Sequence, residues 1–185
     1  MAYLGAAVAV VAMLCILDLL LTYGVIRRLR IHTEQLAAGY GGSGKPRSLP
    51  GRGSRIGDFA ANTVDGRPVE PGMFAGETVV GFFSPTCGPC KDMVPLFVKH
   101  AAEVLEGRSR VLAVVVSDPQ EAASLVSVLE PVAQVVVEQR DGALSGAFSV
   151  TGFPSLFVVN EDRTIVASGH TMAAVREPAA AGSAR

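Results

Sequence analysis

The sequence predicts an α/β layered fold, a central sheet with helices on both faces, behind one N-terminal helix long enough to cross a membrane. Three observations carry this reading. The 23 residues from Leu4 to Ile26 are apolar except for Gly5, Asp18, Thr22 and Gly24. From Ile56 onward, short β-branched runs alternate with stretches of helical periodicity in the order β-β-β-α-β-α-β-α-β-β-α. Charge divides at the same place. Residues 1–55 hold seven Lys and Arg against two acids, net +5, and the remaining 130 hold nine against fifteen, net −6. The overall net charge of −1 therefore averages two unlike parts and gives no reason to expect nucleic acid.

The apolar run comes first. As a helix it would span about 34 Å, against a hydrocarbon core of about 30 Å. No Lys or Arg precedes it and no small-residue cleavage site follows it, so a retained single-pass anchor is expected rather than a signal peptide. Met13 and Leu14 argue against a lipoprotein reading of Cys15, which is left a small apolar role. Asp18 is either tolerated within the helix or paired with a partner helix. Anchor and juxtamembrane helix are assigned to residues 1–38. Residues 39–55 hold six Gly, two Pro, three Ser and four basic residues, a composition that reads as a flexible tether. Arg27, Arg28 and Arg30 come directly after the apolar run, and by the positive-inside rule they would keep the rest of the chain in the cytoplasm.

The folded domain is assigned to residues 56–176. Phe59–Thr63 and Arg67–Val69 flank Val64-Asp65-Gly66, the signal of a hairpin. Thr78–Phe83 reads as a buried strand. Gly88–Glu106 repeats Met93, Val94, Phe97, Ala101, Val104 and Leu105 at helical spacing, with a kink expected at Pro95 and an end at Gly107. Val111–Val116 is apolar throughout, as an interior strand covered on both faces would be. Asp118, Pro119 and Glu121 suit the N-cap, N1 and N3 positions of a helix that runs to about Glu130. Val135–Glu138 is a further strand and Ala143–Phe148 a short helix. Ser155–Asn160 and Thr164–Ser168 form a second hairpin, and a last helix covers Thr171–Arg176. Residues 177–185 read as a disordered tail.

The chemistry is concentrated at Cys87-Gly88-Pro89-Cys90, where a buried strand ends and a helix begins. A thiol at a helix N-terminus faces unpaired N–H groups and the positive end of the dipole, which favour its thiolate. Gly88 and Pro89 let the turn close, so Cys87 is the expected nucleophile and Cys90 the buried resolving thiol. Lys91 adds positive charge nearby. Zinc would want about four ligands, and no second cysteine pair or nearby His supplies them. A permanently closed structural disulfide is the other bland reading. No metal and no other cofactor is expected. His32, His100 and His170 read as isolated residues, and Asp141-Gly142 as a turn.

Phe82-Phe83-Ser84-Pro85-Thr86-Cys87-Gly88-Pro89-Cys90-Lys91, with Pro95, resembles the active-site segment of the thioredoxin superfamily. Thr151-Gly152-Phe153-Pro154 before a strand is similar to that superfamily's cis-proline loop. Ile56-Gly57-Asp58-Phe59 with Asp65-Gly66, behind an anchor, resembles the membrane-tethered TlpA-type oxidoreductases. The Arg-x-Leu-Arg-Ile-His-x-Glu-Gln-Leu stretch after the anchor is similar to MauD-like maturation proteins. The resemblance implies a thioredoxin-like central mixed sheet and a redox pair of Cys87 and Cys90. It also implies a cis bond before Pro154, a Phe153 backbone that binds an extended substrate segment, and a protein dithiol or disulfide as partner. Three departures stand out. Thr86 replaces the usual Trp, and Gly81 occupies the position where many thioredoxins carry a buried acid, which leaves water or another acid, such as Asp92 or Glu70, as proton acceptor. The C-terminal helix is also short, ending near Pro178. The Gly-Pro dipeptide resembles the reducing end of the family, so reduction or isomerisation is expected over oxidation. Two alternatives remain: a peroxiredoxin-like peroxide reductase, and a non-enzymatic thioredoxin-fold module for enzyme maturation. Disulfide exchange by a tethered domain belongs outside the cytoplasm, against the arginines; an extracytoplasmic domain is expected.

Overall fold

The computed structural model describes Met13 and residues 49–74, 76–104 and 107–176. The expected juxtamembrane helix, most of the tether, the tail and, Met13 apart, the expected membrane helix lie outside these residues. Among the described residues, no helix is long and apolar enough to cross a membrane. Contacts divide the chain into units 1–46 and 47–185, and the second carries the fold.

That unit opens with the hairpin of β1 (Ala61–Asn62) and β2 (Pro68–Val69), paired antiparallel. Its turn closes with a Gly66 N–H bond to the Thr63 carbonyl at 2.9 Å, and Gly66 takes φ +80°, a conformation that costs glycine little. The main sheet comprises β3 (Thr78–Phe83), β4 (Val111–Val116), β5 (Gln134–Glu138), β6 (Ser155–Val159) and β7 (Ile165–Gly169), in the order β5-β4-β3-β6-β7. β3 pairs parallel with β4 and antiparallel with β6, so the sheet is mixed, with β3 at its centre. The helices are α1 (Gly88–Val104), α2 (Pro119–Leu129), α3 (Ala143–Ala147) and α4 (Ala173–Arg176).

Strand alternation divides the core in two. Val79 and Phe83 of β3 face a cluster with Val94 and Phe97 of α1, Leu129 of α2 and Val175 of α4. Val80 and Phe82 face the other, with Phe59, Val69 of the hairpin and Leu144 of α3. All residues of β3, β4 and β6 are buried, which is why their sequences are apolar without alternation. The second core is aromatic. Phe148 lies 5.2 Å from Phe82 and 5.1 Å from Phe157 between ring centres, at tilted angles that suit ring quadrupoles.

α1 continues through Pro95 as a single helix. Two local expectations are revised. Asp118 occupies the N-cap of α2 but makes no side-chain cap; its Oδ1 instead accepts a bond from Gln139 Nε2 at 3.3 Å. The described end of the tether does pack. Gly53 N–H donates to the Ile165 carbonyl at 2.9 Å, Ile165 N–H to the Ser54 carbonyl at 2.8 Å, and the Ser168 hydroxyl to the Pro50 carbonyl at 2.8 Å. β7 is the outer strand of the sheet and its edge offers unpaired backbone groups. Backbone pairing of this kind needs no apolar side chains, so composition is blind to it.

Candidate functional site

β3 ends at Phe83, and Ser84-Pro85-Thr86 turns the chain into α1. The turn is fixed by the Cys87 N–H bond to the Ser84 carbonyl at 3.1 Å. Because α1 starts at Gly88, Cys87 stands at its N-terminal cap, half-buried, while Gly88 and Pro89 are exposed in the first turn. Cys90 is 1% exposed. The two cysteines are joined as a disulfide, with Cα atoms 5.3 Å apart. Cys90 N–H points at Cys87 Sγ from 3.2 Å, the kind of donor that stabilises a thiolate there once the pair is reduced.

The second part of the site arrives from the start of β6. The Phe153–Pro154 bond is cis. The Phe153 carbonyl oxygen lies 3.3 Å from Cys87 Sγ across 66 residues of sequence. Phe153 packs against both cores, and the Ser155 hydroxyl closes the loop on the Gly152 carbonyl at 2.7 Å. The pairing of Phe82 with Ser155 explains the meeting, since it sets the end of β3 beside the start of β6. All six residues singled out from the sequence, Cys87, Gly88, Pro89, Cys90, Phe153 and Pro154, thus fall on these two facing segments.

Gly81 now has a physical account. A Cβ at this position would come within 2.7 Å of the Phe83 ring and 2.9 Å of the Phe97 ring. Those rings stack edge to face with centres 5.1 Å apart and fill the place a side chain would take. Cys90 accordingly sits in an apolar cluster with Val94 and Phe97. Asp92 and Glu70, the two acids considered as proton acceptors, are both exposed and outside that cluster. Lys91 is exposed as well.

Two features went unread in the sequence. His170 Nδ1 lies 2.7 Å from the Pro154 carbonyl oxygen, so this histidine is not isolated. The signal was present in the hairpin register, because pairing Leu156 with Gly169 brings the residues flanking those strands together. The other feature is an open polar cavity of about 240 Å³ beside the Cys87 turn, lined by Ser84, Thr86, Ser117, Asp118, Gln139 and Arg140 among others. Thr86, small where the superfamily has Trp, stands on its border. Among the described residues, no three His, Cys, Asp or Glu stand together to hold a metal ion.

The AhpC/TSA family model matches residues 53–168, more than half of the chain. The chain belongs to the AhpC/TSA family. No curated protein matches it in sequence. Solved structures similar to this AhpC/TSA chain include the thioredoxin domain of a thiol-disulfide oxidoreductase from Bacteroides vulgatus. It is 17% identical with a TM-score of 0.54 over 65% of this chain and 89% of that one. The exposed lipoprotein thioredoxin of Streptococcus pneumoniae is 19% identical, TM-score 0.53, over 65% and 96%. StoA of Bacillus subtilis is 18% identical, TM-score 0.51, over 66% and 96%. At these identities the likeness establishes a thioredoxin-like α/β fold. Family, fold and the Cys87–Cys90 disulfide make this AhpC/TSA member a redox enzyme of thioredoxin type.

Proposed function

We propose that the protein is a membrane-tethered, TlpA-type thiol-disulfide oxidoreductase that exchanges disulfides with a protein partner, in the reducing or isomerising direction. The observation that carries this reading is the Cys87–Cys90 disulfide at the start of α1, with the Phe153 carbonyl 3.3 Å from Cys87 Sγ. An extended partner segment laid along Gly152–Pro154 would bring its own disulfide against the exposed side of Cys87.

The exchange balances in two steps. In the reduced enzyme the Cys87 thiolate attacks one sulfur of the partner disulfide, forming a mixed disulfide and expelling the other partner sulfur as a thiolate. Cys90 then loses its proton and attacks Cys87 Sγ, which releases the second partner thiolate and closes Cys87–Cys90. Two electrons pass from the enzyme pair to the partner, whose thiolates take up protons. An external dithiol restores the enzyme by the reverse exchange. Gly81 leaves no room for a carboxylate to receive the Cys90 proton at that position, and no Asp or Glu is buried among the described residues.

Tethering rests on the apolar run 4–26, and placement of the domain outside the cytoplasm rests on where disulfide exchange is needed. The stretch after the anchor supports a MauD-like role in maturing one particular enzyme. The test uses the full-length chain with a disulfide-bonded peptide and excess dithiol. Cys87→Ser is expected to abolish peptide reduction, and Cys90→Ser to accumulate a mixed disulfide that reductant releases. Full biological activity in cells of the Cys87→Ser, Cys90→Ser double variant would sink the redox function and leave only a non-enzymatic accessory role. Peroxide consumption by Cys90→Ser would favour a peroxidase instead.

A further inference from the structure

The Gly152–Pro154 loop is tied from outside itself by a residue with no part in the exchange chemistry above. His170 comes directly after the last residue of β7, and its Nδ1 stands 2.7 Å from the Pro154 carbonyl oxygen. A carbonyl can only accept, so Nδ1 carries the proton, in the neutral ring and in the charged one alike. The Ser155 hydroxyl binds the Gly152 carbonyl, and Ser155 pairs with Phe82 of β3, so one tie holds the loop to the sheet from the β6 side and His170 adds a second from the end of β7.

Two consecutive carbonyls are thereby oriented. Phe153 presents its oxygen to Cys87 Sγ at 3.3 Å, and Pro154 presents its oxygen to His170. Swinging Phe153 away from Cys87 turns the adjoining Pro154 peptide plane and breaks the His170 bond. We infer that His170 is a positioning residue for disulfide exchange, holding the Gly152–Pro154 loop at the distance from Cys87 at which an extended, disulfide-bearing polypeptide can lie beside the reacting sulfur. This rests on the exchange function proposed above. His170 is exposed, so replacing it empties no core.

The test compares wild type, His170→Ala and His170→Asn as full-length chains, with a disulfide-bonded peptide as substrate. Asn is the informative replacement, because its Nδ2 can occupy the position of the histidine Nδ1 and donate the same bond. Loss of one such bond is worth about 0.5–1.5 kcal/mol, or roughly a two- to twelvefold effect. His170→Ala is expected to raise KM for the peptide by about that factor, with a smaller change in kcat and a melting temperature lowered by no more than about a few degrees. His170→Asn is expected to restore KM. Wild-type KM in His170→Ala, or an equal defect in His170→Asn, would overturn the inference while leaving the exchange function standing. If wild type does not reduce the peptide at all, both fall together.

Discussion

At Gly81 a single hydrogen atom is the side chain that the core tolerates. The Phe83 and Phe97 rings occupy the space, and buried rings cannot swing clear as a flexible surface chain would. Gly81→Ala is expected to destabilise the fold by about 1–3 kcal/mol through overpacking. Urea unfolding measures this, and an unchanged midpoint would show that the rings yield freely. His100 poses a different problem at the same scale. It is 5% exposed with no partner at Nδ1. Burial pushes its pKa below the ordinary 6.5, the Arg176 charge adds to this, and Glu103 opposes it. The folded ring is therefore neutral where the unfolded one begins to charge. Its contribution to stability is complete above the unfolded pKa of 6.5 and is lost as pH falls through that value towards the folded pKa. The loss has an upper limit of about 1.4 kcal/mol per pH unit for one proton. Unfolding free energies at pH 7.5 and 5.5 check it, with His100→Leu flattening the slope; equal slopes in the two proteins would contradict it.

Among the elements, α3 is held by a residue outside it. Its N-cap, Gly142, offers no side chain, and the Glu138 carboxylate at the end of β5 takes over, accepting the Leu144 N–H at 3.0 Å and the Ser145 N–H at 2.7 Å. A carboxylate at a helix start satisfies orphan donors and complements the dipole. Removing it through Glu138→Ala is expected to cost about 1–2 kcal/mol, as loss of a helix cap does. Hydrogen exchange is expected to quicken first at the Leu144 and Ser145 amides; uniform quickening across the sheet would refute this local role. Sequence placed a cap at Asp118 of α2 instead, where the structure has none from the side chain. A cap residue three positions from its donor is legible in sequence, and one that reaches across a loop is not.

For the molecule as a whole, the proposal joins an apolar anchor and a basic tether to an acidic redox domain. The arginines after the anchor and the chemistry of disulfide exchange predict opposite sides of the membrane. Long domains cross despite flanking charge, so the chemistry is given precedence. Cys87 in whole cells, first treated with a membrane-impermeant reductant, is expected to react with a membrane-impermeant thiol reagent. Labelling that appears only after lysis would place the domain in the cytoplasm.

Element types in the domain, and the bounds of its interior strands Thr78–Phe83 and Val111–Val116, were legible in the sequence because they rest on local periodicity and on runs too apolar to be exposed. The first strand, by contrast, is only Ala61–Asn62 where Phe59–Thr63 was expected. The cysteine pair was legible for a similar reason: spacing, flanking strand and adjoining helix all lie within a few residues. Resemblance alone suggested the Phe153–Pro154 loop, and pairing of β3 with β6 is what sets it against Cys87. Packing of residues 50–55 along β7, the role of Glu138 beneath α3 and the bond from His170 to Pro154 needed the tertiary structure. Each is a hydrogen bond between segments distant in sequence, whose geometry depends on strand order and register rather than on composition. Gly81 unites the two levels. Resemblance to the thioredoxin superfamily pointed to an acid missing there, and only the packed rings of Phe83 and Phe97 showed that none could fit.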